Sequence, residues 1–430
     1  MAGANNPRPI GRSRGETRMI VPDPHARSLV VAGASARAMV ESAARAGWRV
    51  YAADLFADLD LRAVAAESVR ARPYPDALPA TVARFPPGPW LYCGALENHL
   101  PVIHAISRDR PLAGCDPTVV KPVRDPATLA AAVRAAGLGF PETRHDPGGV
   151  PHDGSWLTKP LRSAGGHGIA VWHGDGPEFA PTAERVWQRR ERGRPWSASY
   201  LVAAGCGRLI GVSRQLLGRR WCHAQPFTFC GSIDIDPESL PPEVRDQLLR
   251  LGGLLADPFG LAGLVGADLV IDDGGHIHVI EVNPRLTASM ELIERSTGMS
   301  LAAAHLSACG FPGPAAGATR PRQGTWSKAI LFAARDLVID EATIQAIRAA
   351  GDEPHEAWPL VADLPAPPQT IPAGGPICTF FAHGDSPPRS LAALRRRVRR
   401  LSLPSAAPPE TRRLETASGT HPRSSPDRSP

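Results

Sequence analysis

Two acidic residues and an asparagine in the second half of the chain have the spacing of a metal site. Asp268 precedes the pair Gly274 and Gly275, and Glu281 and Asn283 follow it. The runs on both sides are rich in β-branched residues, and a Gly-Gly pair favours a two-residue hairpin turn because both positions tolerate positive φ. Such a turn places Asp268 directly opposite Glu281, with Cβ atoms about 4.5–5.5 Å apart.

The third oxygen donor of this hairpin is Asn283, which shares the face of Glu281 because side chains alternate along a strand. Two carboxylates this close repel each other, and a hard cation such as Mg²⁺ (or Mn²⁺) would remove the repulsion. The hairpin therefore predicts a metal site made of Asp268, Glu281 and Asn283. The alternative is an exposed hairpin with scattered acids. His276 and His278 should lie on the opposite face, as structural or exposed residues.

A lysine and a glycine-rich run precede the hairpin. Lys159 follows a short strand-like segment, and three glycines follow it at positions 165, 166 and 168. The backbone amides of such a loop can fold over phosphate groups, where a Cβ would obstruct the approach. Taken alone, a run of this kind is usually a turn, and its meaning depends on the neighbouring motifs. The residues of the run are Ser163, Gly165, Gly166 and Gly168.

Together these motifs resemble those of the ATP-grasp superfamily, in which an acid on one strand precedes Glu-x-Asn on the next. The form Glu-Val-Asn-Pro-Arg is similar to that of the carboxylase-like and carboxylate–amine ligase branches. The resemblance implies that Asp268, Glu281 and Asn283 bind the metals. It also implies two catalytic residues: Lys159 on the nucleotide phosphates and Arg285 on phosphate or an acyl-phosphate intermediate.

The resemblance further implies an adenine pocket at the hinge segment after Gln188. The residues after Gln188 are charged where apolar ones are expected, so the end of a surface helix is the alternative. An earlier lysine of the superfamily is absent, because Pro126 lies near its position, and Lys121 or Arg124 could replace it. The implied ATP contacts are Lys159, Ser163, Gly165, Gly166, Gly168, Gln188 and Glu191.

The implied reaction uses ATP to phosphorylate a carboxylate or bicarbonate, after which a nucleophile, usually an amine, displaces phosphate. We therefore expect an ATP- and Mg²⁺-dependent ligase acting on a small-molecule carboxylate and amine, with an amino-acid (glutamate-type) ligase of cofactor biosynthesis as one candidate. Four further segments resemble a group of carboligases related to biotin carboxylase: residues 33–37, 54–60, 362–365 and 375–382. No biotinyl attachment sequence is present. The alternatives are a carboxylating enzyme of that kind and a non-catalytic ATP-binding protein.

The first part of the chain also contains candidate ligand-binding motifs. The loop after Gly33, with Asp54 downstream, could be a dinucleotide site of an oxidoreductase, but it lacks the GxGxxG pattern. The segments 35–37 and 97–99 are candidates for substrate contact. Turn formation and helix capping explain them equally well.

The elements that must position these residues follow from hydrophobic patterning. A strand from Ser28, an alanine-rich helix ending near Gly47 and a second strand to Asp54 open a parallel α/β layer. We expect α/β and α+β structure, with an ATP-grasp architecture, an N-terminal Rossmann-like domain and a small C-terminal β-rich part. Helices are predicted at 126–138, near 178–192, at 241–256, 286–309 and 389–401. The predicted organisation is a disordered tail at 1–27, a pre-ATP-grasp domain at 28–115, an ATP-grasp domain of two subdomains at 116–310, a β-rich part with a basic helix at 320–402, and a disordered tail at 403–430.

Composition limits the remaining classes. The seven cysteines contain no CxxC pair, which argues against a disulfide framework or a zinc site and favours a reducing compartment. The charge of +6 comes mainly from the N-terminal segment and from residues 395–400, so no nucleic-acid partner is expected. No apolar run approaches a membrane span, and no secretory signal is recognisable. A cytoplasmic protein is expected, and Met19 could be an alternative start.

Overall fold

A parallel sheet forms the first layer of the computed structural model, which describes residues 27–174, 184–313, 319–352 and 358–401. Its spatial strand order is β3-β2-β1-β4, with all neighbours parallel. The central strand is buried because helices pack against the sheet, as a parallel sheet requires. The elements of this layer are β1 (Ser28–Gly33), α1 (Arg37–Arg45), β2 (Arg49–Asp54), α2 (Leu59–Val64), β3 (Glu67–Arg70), α3 (Leu78–Val82), β4 (Trp90–Cys93) and α4 (Leu100–Ser107).

Two short helices and a small antiparallel sheet come next. The strand order of this smaller sheet is β5-β8-β6-β7. Its apolar side is built largely from tryptophans, of which Trp172 and Trp187 pack edge to face. The elements are α5 (Pro117–Arg124), α6 (Pro126–Ala135), β5 (Thr143–Arg144), β6 (Trp156–Pro160), β7 (Ala170–Val171) and β8 (Arg185–Arg189).

The larger sheet has eight strands in the order β13-β12-β9-β10-β11-β14-β18-β16, and β15 pairs separately with β17. Helix α7 packs on this sheet beside α6, and their apolar side chains form the main core with the strands. The elements are β9 (Arg194–Ala203), β10 (Cys206–Leu217), β11 (Phe229–Ile235), α7 (Pro242–Ala256), β12 (Gly263–Ile271), β13 (Ile277–Asn283), α8 (Glu291–Thr297), α9 (Leu301–Ala308), β14 (Thr325–Phe332), β15 (Leu337–Ile339), α10 (Glu341–Ala350), β16 (Val361–Ala362), β17 (Gln369–Ile371), β18 (Pro376–Gly384) and α11 (Pro387–Arg400).

Several predicted elements differ from the structure. The helix predicted near 178–192 is wrong where it can be compared, because residues 185–189 form β8; residues 175–183 lie outside the described residues. The region predicted as helix at 286–309 contains two helices, since Gly298 ends α8 in a left-handed conformation. Helix α10 interrupts a region predicted as strands. The predicted disordered tails and Met19 lie outside the described residues, except Arg27 at the edge of the first tail.

Among the described residues, none of the helices combines the length and the hydrophobicity that a membrane span requires.

Candidate active site

The strand pairing that brings Asp268 and Glu281 together is confirmed, but the turn beyond it differs from the prediction. The two residues are directly opposite on β12 and β13, and a β-bulge shifts the register immediately after them. The turn has three central residues rather than two, because the Asp272 N–H donates to the His276 carbonyl. The extra residue in the turn and the extra residue in the bulge compensate each other, so the acidic pair stays in register.

Asn283 and Gln215 converge with the acidic pair on one small volume. Asn283 Nδ2 lies 3.2 Å from Glu281 Oε1 and 3.4 Å from Asp268 Oδ2. Gln215 on β10 donates to the other oxygen of Asp268 at 2.8 Å. The structure thus brings the three predicted residues together. It adds Gln215, whose strand neighbours β9 rather than β12, so only the strand order of the whole sheet reveals it.

The two carboxylates differ in their electrostatic environment. Burial, together with the charge of Glu281, raises the pKa of Asp268 to about 8. Burial also opposes ionisation of Glu281, but the cations Arg124 and Lys159 outweigh it and lower the pKa of Glu281 to about 2. The pair therefore resists the loss of both protons, and Glu281 is the carboxylate whose ionised form its surroundings favour.

Arg124 reaches these residues from the end of α5. The helix ends here because Pro126 disfavours helical backbone at Asp125, which instead caps α6. Arg124 Nη1 lies 3.4 Å from Glu281 Oε2 and 3.2 Å from Asn283 Oδ1. Lys121, on the same helix, is exposed. Of the two candidates for the absent lysine, Arg124 is therefore the one that the fold brings to the site.

The donor set fits a hard divalent cation such as Mg²⁺. The carboxylates and the Asn283 amide supply oxygen atoms, and the Glu281 side chain is 40% exposed, so the pair is open on one side. A cation would also favour the ionised form of Asp268. The Asn283 oxygen would have to turn toward the carboxylates, where its nitrogen now lies. Within the described part of the chain no three His, Cys, Asp or Glu side chains form a metal cluster.

Lys159 lies beside the acidic pair and comes from the smaller sheet. It is near the end of β6, and its Nζ donates to Gln188 Oε1 on β8 at 3.0 Å. Burial lowers the pKa of Lys159, and the charges of Glu281 and Asp268 act against that decrease. Gln188 is in turn fixed by a hydrogen bond from its Nε2 to Thr143 Oγ1. The structure therefore brings Lys159 and Gln188 together.

Residues 190–193 carry the chain from the smaller sheet to the larger one, between the end of β8 and the start of β9. Gly193 has a φ of +144°, and a Cβ there would lie 2.4 Å from the Ile271 carbonyl oxygen. Glu191 Oε2 lies 3.9 Å from His278 Nδ1, on the hairpin. This link occupies the position where the resemblance implies a hinge. His278 is mostly buried against it, whereas His276 is exposed.

The glycine-rich loop has a conformation that only glycine adopts readily. Gly165, Gly166 and Gly168 have φ values of +63°, +81° and +74°. The Phe229 N–H donates to the Gly165 carbonyl at 2.9 Å. A Cβ at Gly166 would lie 2.1 Å from the Phe227 carbonyl oxygen. The loop therefore lies against the segment that leads into β11.

Replacing Gly166 with alanine should weaken binding of Mg²⁺-ATP about tenfold, because the added Cβ forces the loop away from Phe227. Isothermal titration calorimetry would measure the dissociation constant. Gly205→Ala is the matched control, since Gly205 has a φ of +73° but no described atom within 4 Å of its would-be Cβ. Equal affinities for the two variants would show that the contact with Phe227 is unimportant.

Arg285 is held by a buried carboxylate, that of Glu97. Its Nε lies 2.8 Å from Glu97 Oε2, and its Nη2 lies 2.6 Å from Glu97 Oε1. The two side chains are 12% and 1% exposed. Burial opposes both charges, but their mutual attraction still raises the pKa of Arg285 and lowers that of Glu97. Arg285 also interacts with the charges of Asp268 and Glu281, so it is a fixed cation near the acidic pair.

Comparison with known proteins agrees with this geometry. Residues 123–289, which contain the acidic hairpin, Lys159 and the glycine-rich loop, match the profile of the ATP-grasp domain. Residues 123–289 therefore form an ATP-grasp domain. The resemblance to the ATP-grasp superfamily predicted from the motifs is confirmed over these residues.

The chain is similar to curated and solved proteins over different lengths. The large chain of carbamoyl phosphate synthase from Pasteurella multocida (strain Pm70) is 35% identical over 71 residues, which are 16% of this chain and only 7% of that protein. Biotin carboxylase from Campylobacter jejuni, in a β-γ-ATP complex, has a TM-score of 0.63 at 13% identity, covering 86% of this chain and 90% of the other. L-amino acid ligase from Bacillus licheniformis has a TM-score of 0.60 at 15% identity, covering 88% and 98%. At these identities the structures show a shared fold, and the expected fold class is confirmed.

The junction between the ATP-grasp domain and its neighbours contains Arg37, a candidate for substrate contact. Arg37 is 2% exposed and donates to Glu291 at 2.7 and 3.0 Å and to Asp363 at 2.8 Å. Lys328 donates to the same Glu291 at 2.9 Å. Arg37 therefore joins α1, α8 and the C-terminal part. Asp54 accepts hydrogen bonds from three backbone N–H groups, which gives it a structural role in place of ribose binding.

Asp58 should make the stability of this junction depend on pH. Burial and the neighbouring acids, Asp363 foremost, raise its pKa to about 9, compared with about 3.9 in an unfolded chain. Between these two pKa values the folded protein binds more protons than the unfolded chain. The free energy of unfolding therefore falls as pH rises from the lower value to the higher one. Asp58→Asn cannot ionise, so its gain in Tm over the wild type should be larger at about pH 8.5 than at about pH 5.5. Exposed Asp109→Asn is the control, and an equal gain at both pH values would contradict the raised pKa.

Proposed function

We propose that this chain is an ATP- and Mg²⁺-dependent ligase that activates a carboxylate as an acyl phosphate and joins it to an amine. The convergence of Asp268, Glu281 and Lys159 within the ATP-grasp domain supports this proposal most strongly. Two acids kept in register by a compensated bulge, with a lysine and two arginines around them, form a site that needs both a cation and an anionic ligand. Mg²⁺ and nucleotide phosphates satisfy that requirement together.

Each residue has a role that follows from its place. Lys159 and the amides of the glycine-rich loop would hold the nucleotide phosphates. Asp268, Glu281 and Asn283 would hold the metal, which supplies charge neutralisation to the phosphoryl oxygens. Arg285, fixed by Glu97, would stabilise the negative charge of the acyl phosphate, because a guanidinium matches phosphate geometry. These roles are positioning and electrostatic, as phosphoryl transfer requires.

The chemistry proceeds in two balanced steps. A substrate carboxylate oxygen attacks the γ-phosphorus of ATP, the bond to ADP breaks, and an acyl phosphate forms. The amine nitrogen then attacks the acyl carbon, phosphate leaves with the bonding electron pair, and the nitrogen loses a proton. No protein nucleophile takes part. Positioning of the two reactants accounts for much of the acceleration.

The solved relatives suggest two directions for the substrate. The similar structure of an L-amino acid ligase, which covers 88% of this chain, favours an amino acid as the carboxylate or the amine substrate. The similar biotin carboxylase favours the alternative, in which bicarbonate is the carboxylate. Transfer of label from ¹⁴C-bicarbonate into a product that keeps the label at alkaline pH and loses it as CO₂ in acid would identify the carboxylating reaction, because an N-carboxylated amine decarboxylates in acid. We propose small-molecule partners in the cytoplasm for either reaction, without nucleic acid or membrane.

Arg124 supports a second candidate function, a non-catalytic ATP-binding protein. Its guanidinium contacts Glu281 and Asn283, where a metal would otherwise compensate the charge. A permanent ion pair there would exclude the metal and leave a site that binds nucleotide without turning it over. Binding of ATP that does not depend on Mg²⁺, with no ADP formation against any substrate pool, is the result that this candidate predicts.

The test is Mg²⁺-dependent ADP release by the full chain, with pools of amino acids and cofactor precursors. The proposed ligase should release ADP and phosphate in equal amounts, only when a productive pool is present, and mass spectrometry should find a condensed product. Omission of Mg²⁺, with EDTA present, should abolish the release. ADP formation that is independent of both metal and substrate pool would contradict the proposal.

A further inference from the structure

One helical turn at the end of β4 provides the partners of both arginines of the site. The turn, Leu96–Asn98, follows Gly94 and Ala95, and both of these residues have positive φ. Positive φ is unfavourable for alanine, so the surrounding fold must maintain this turn against a local cost. Glu97 binds Arg285, and the next residue, Asn98, binds Arg124.

Asn98 also bridges Arg124 and the glycine-rich loop. Its Oδ1 accepts a hydrogen bond from Arg124 Nη2 at 3.0 Å, and its Nδ2 donates to the Ser163 carbonyl at 3.1 Å. The other terminal nitrogen of Arg124 contacts Glu281 and Asn283. A single amide thus connects the loop to the acidic pair. An amide suits this position because it presents a donor and an acceptor on one planar group.

We propose that Asn98 is a positioning residue that couples closure of the glycine-rich loop to the orientation of Arg124, an inference that rests on the proposed ATP site. With the loop closed, the Ser163 carbonyl fixes the Asn98 amide, and the amide fixes the guanidinium beside Glu281. With the loop open, Arg124 loses this restraint, and its several rotatable bonds regain freedom. The phosphate-binding loop and the cation at the acidic pair are therefore ordered together.

Hydrogen exchange of the ligand-free full chain tests the first half of this coupling. Asn98→Ala should accelerate exchange about fivefold in peptides covering 162–169 and 226–230, because the loop loses one hydrogen bond and the Phe229 N–H depends on loop contact. Gln247→Ala is the matched control: that amide also uses both its donor and its acceptor between segments, since it joins α7 to the hairpin through Gly275 and Ile277. It should accelerate exchange at the hairpin turn and leave residues 162–169 unchanged.

A double-mutant cycle tests the second half. Asn98→Ala should weaken Mg²⁺-ATP binding about tenfold in the wild type but less than about twofold when Arg124 is already glutamine, because the effect passes through Arg124. A purely structural role would give equal factors in both backgrounds.

Unchanged loop exchange in Asn98→Ala, or full additivity with Arg124→Gln, would overturn the coupling. If the wild type binds no Mg²⁺-ATP, the proposed function fails, and the exchange comparison alone decides whether Asn98 holds the loop. Should Asn98→Ala fail to fold, Asn98→Asp replaces it in the exchange experiment. This variant keeps the acceptor for Arg124 and lacks the donor to Ser163, so it should accelerate loop exchange to the same extent.

Discussion

Replacement of Glu281 by glutamine should lower Mg²⁺-dependent ATP turnover by at least about a hundredfold, because the metal loses an anionic ligand that charge stabilisation requires. Arg124 and Lys159 lose their shared carboxylate at the same time. The variant should remain folded, because removing the charge of Glu281 also removes a cause of the raised pKa of Asp268. Steady-state ADP release at saturating ATP and varied Mg²⁺ would measure the effect.

Asp273→Asn is the control for this substitution. It makes the same chemical change on the same hairpin, at an exposed residue of the turn. Its turnover should stay within about twofold of the wild type, as is usual for a surface substitution. Turnover of Glu281→Gln within that same range would refute the metal assignment. A higher Mg²⁺ requirement in Glu281→Gln would support it further.

Glu97→Gln should lower the free energy of unfolding by about 3–5 kcal/mol, the usual cost of removing one partner from a buried ion pair. Arg285 is then left charged without its partner, because an arginine guanidinium stays protonated in a protein. The lowered pKa of Glu97 has a related consequence. Its contribution to stability is present above the pKa of an unfolded carboxyl group and is lost as pH falls through the lowered folded value.

Urea unfolding monitored by tryptophan fluorescence would measure this change in stability. The double variant Glu97→Gln with Arg285→Gln removes both charges and should recover at least about 1 kcal/mol relative to Glu97→Gln. Asp385→Asn breaks an exposed ion pair with Arg389 and should change stability by less than about 1 kcal/mol. If Glu97→Gln costs no more than this control, the pair does not hold Arg285 by charge.

The sequence predicts the acidic pair because the chemistry of a hairpin is local. The Gly-Gly turn, the β-branched runs and the side-chain alternation all lie within a short segment, and the pairing of Asp268 with Glu281 follows from them. The predicted turn is one residue too short. A bulge depends on how β13 meets its neighbours, which a local pattern does not contain.

Residues that reach the site through tertiary structure could not be predicted in this way. Gln215 depends on strand order, and Arg124 depends on a helix that ends where Pro126 requires. Nothing in the sequence near Asn98 indicates its contact with Ser163, because the two belong to different units of the fold. The helix predicted near 178–192 fails for the opposite reason. Its composition suits a helix, but residues 185–189 fill a place in the smaller sheet between β5 and β6.

The larger sheet is completed only late in synthesis, because its strands come from distant parts of the chain. Strand β11 pairs with β10 on one side and, through Ile233 and Ser327, with the much later β14 on the other. Until β14 emerges from the ribosome, β11 presents an unpaired edge, and such edges bind other chains. The strands that follow β11 in the larger sheet, beginning with β14, therefore cover its edge. A chain that stops between residues 309 and 325 should self-associate through that edge.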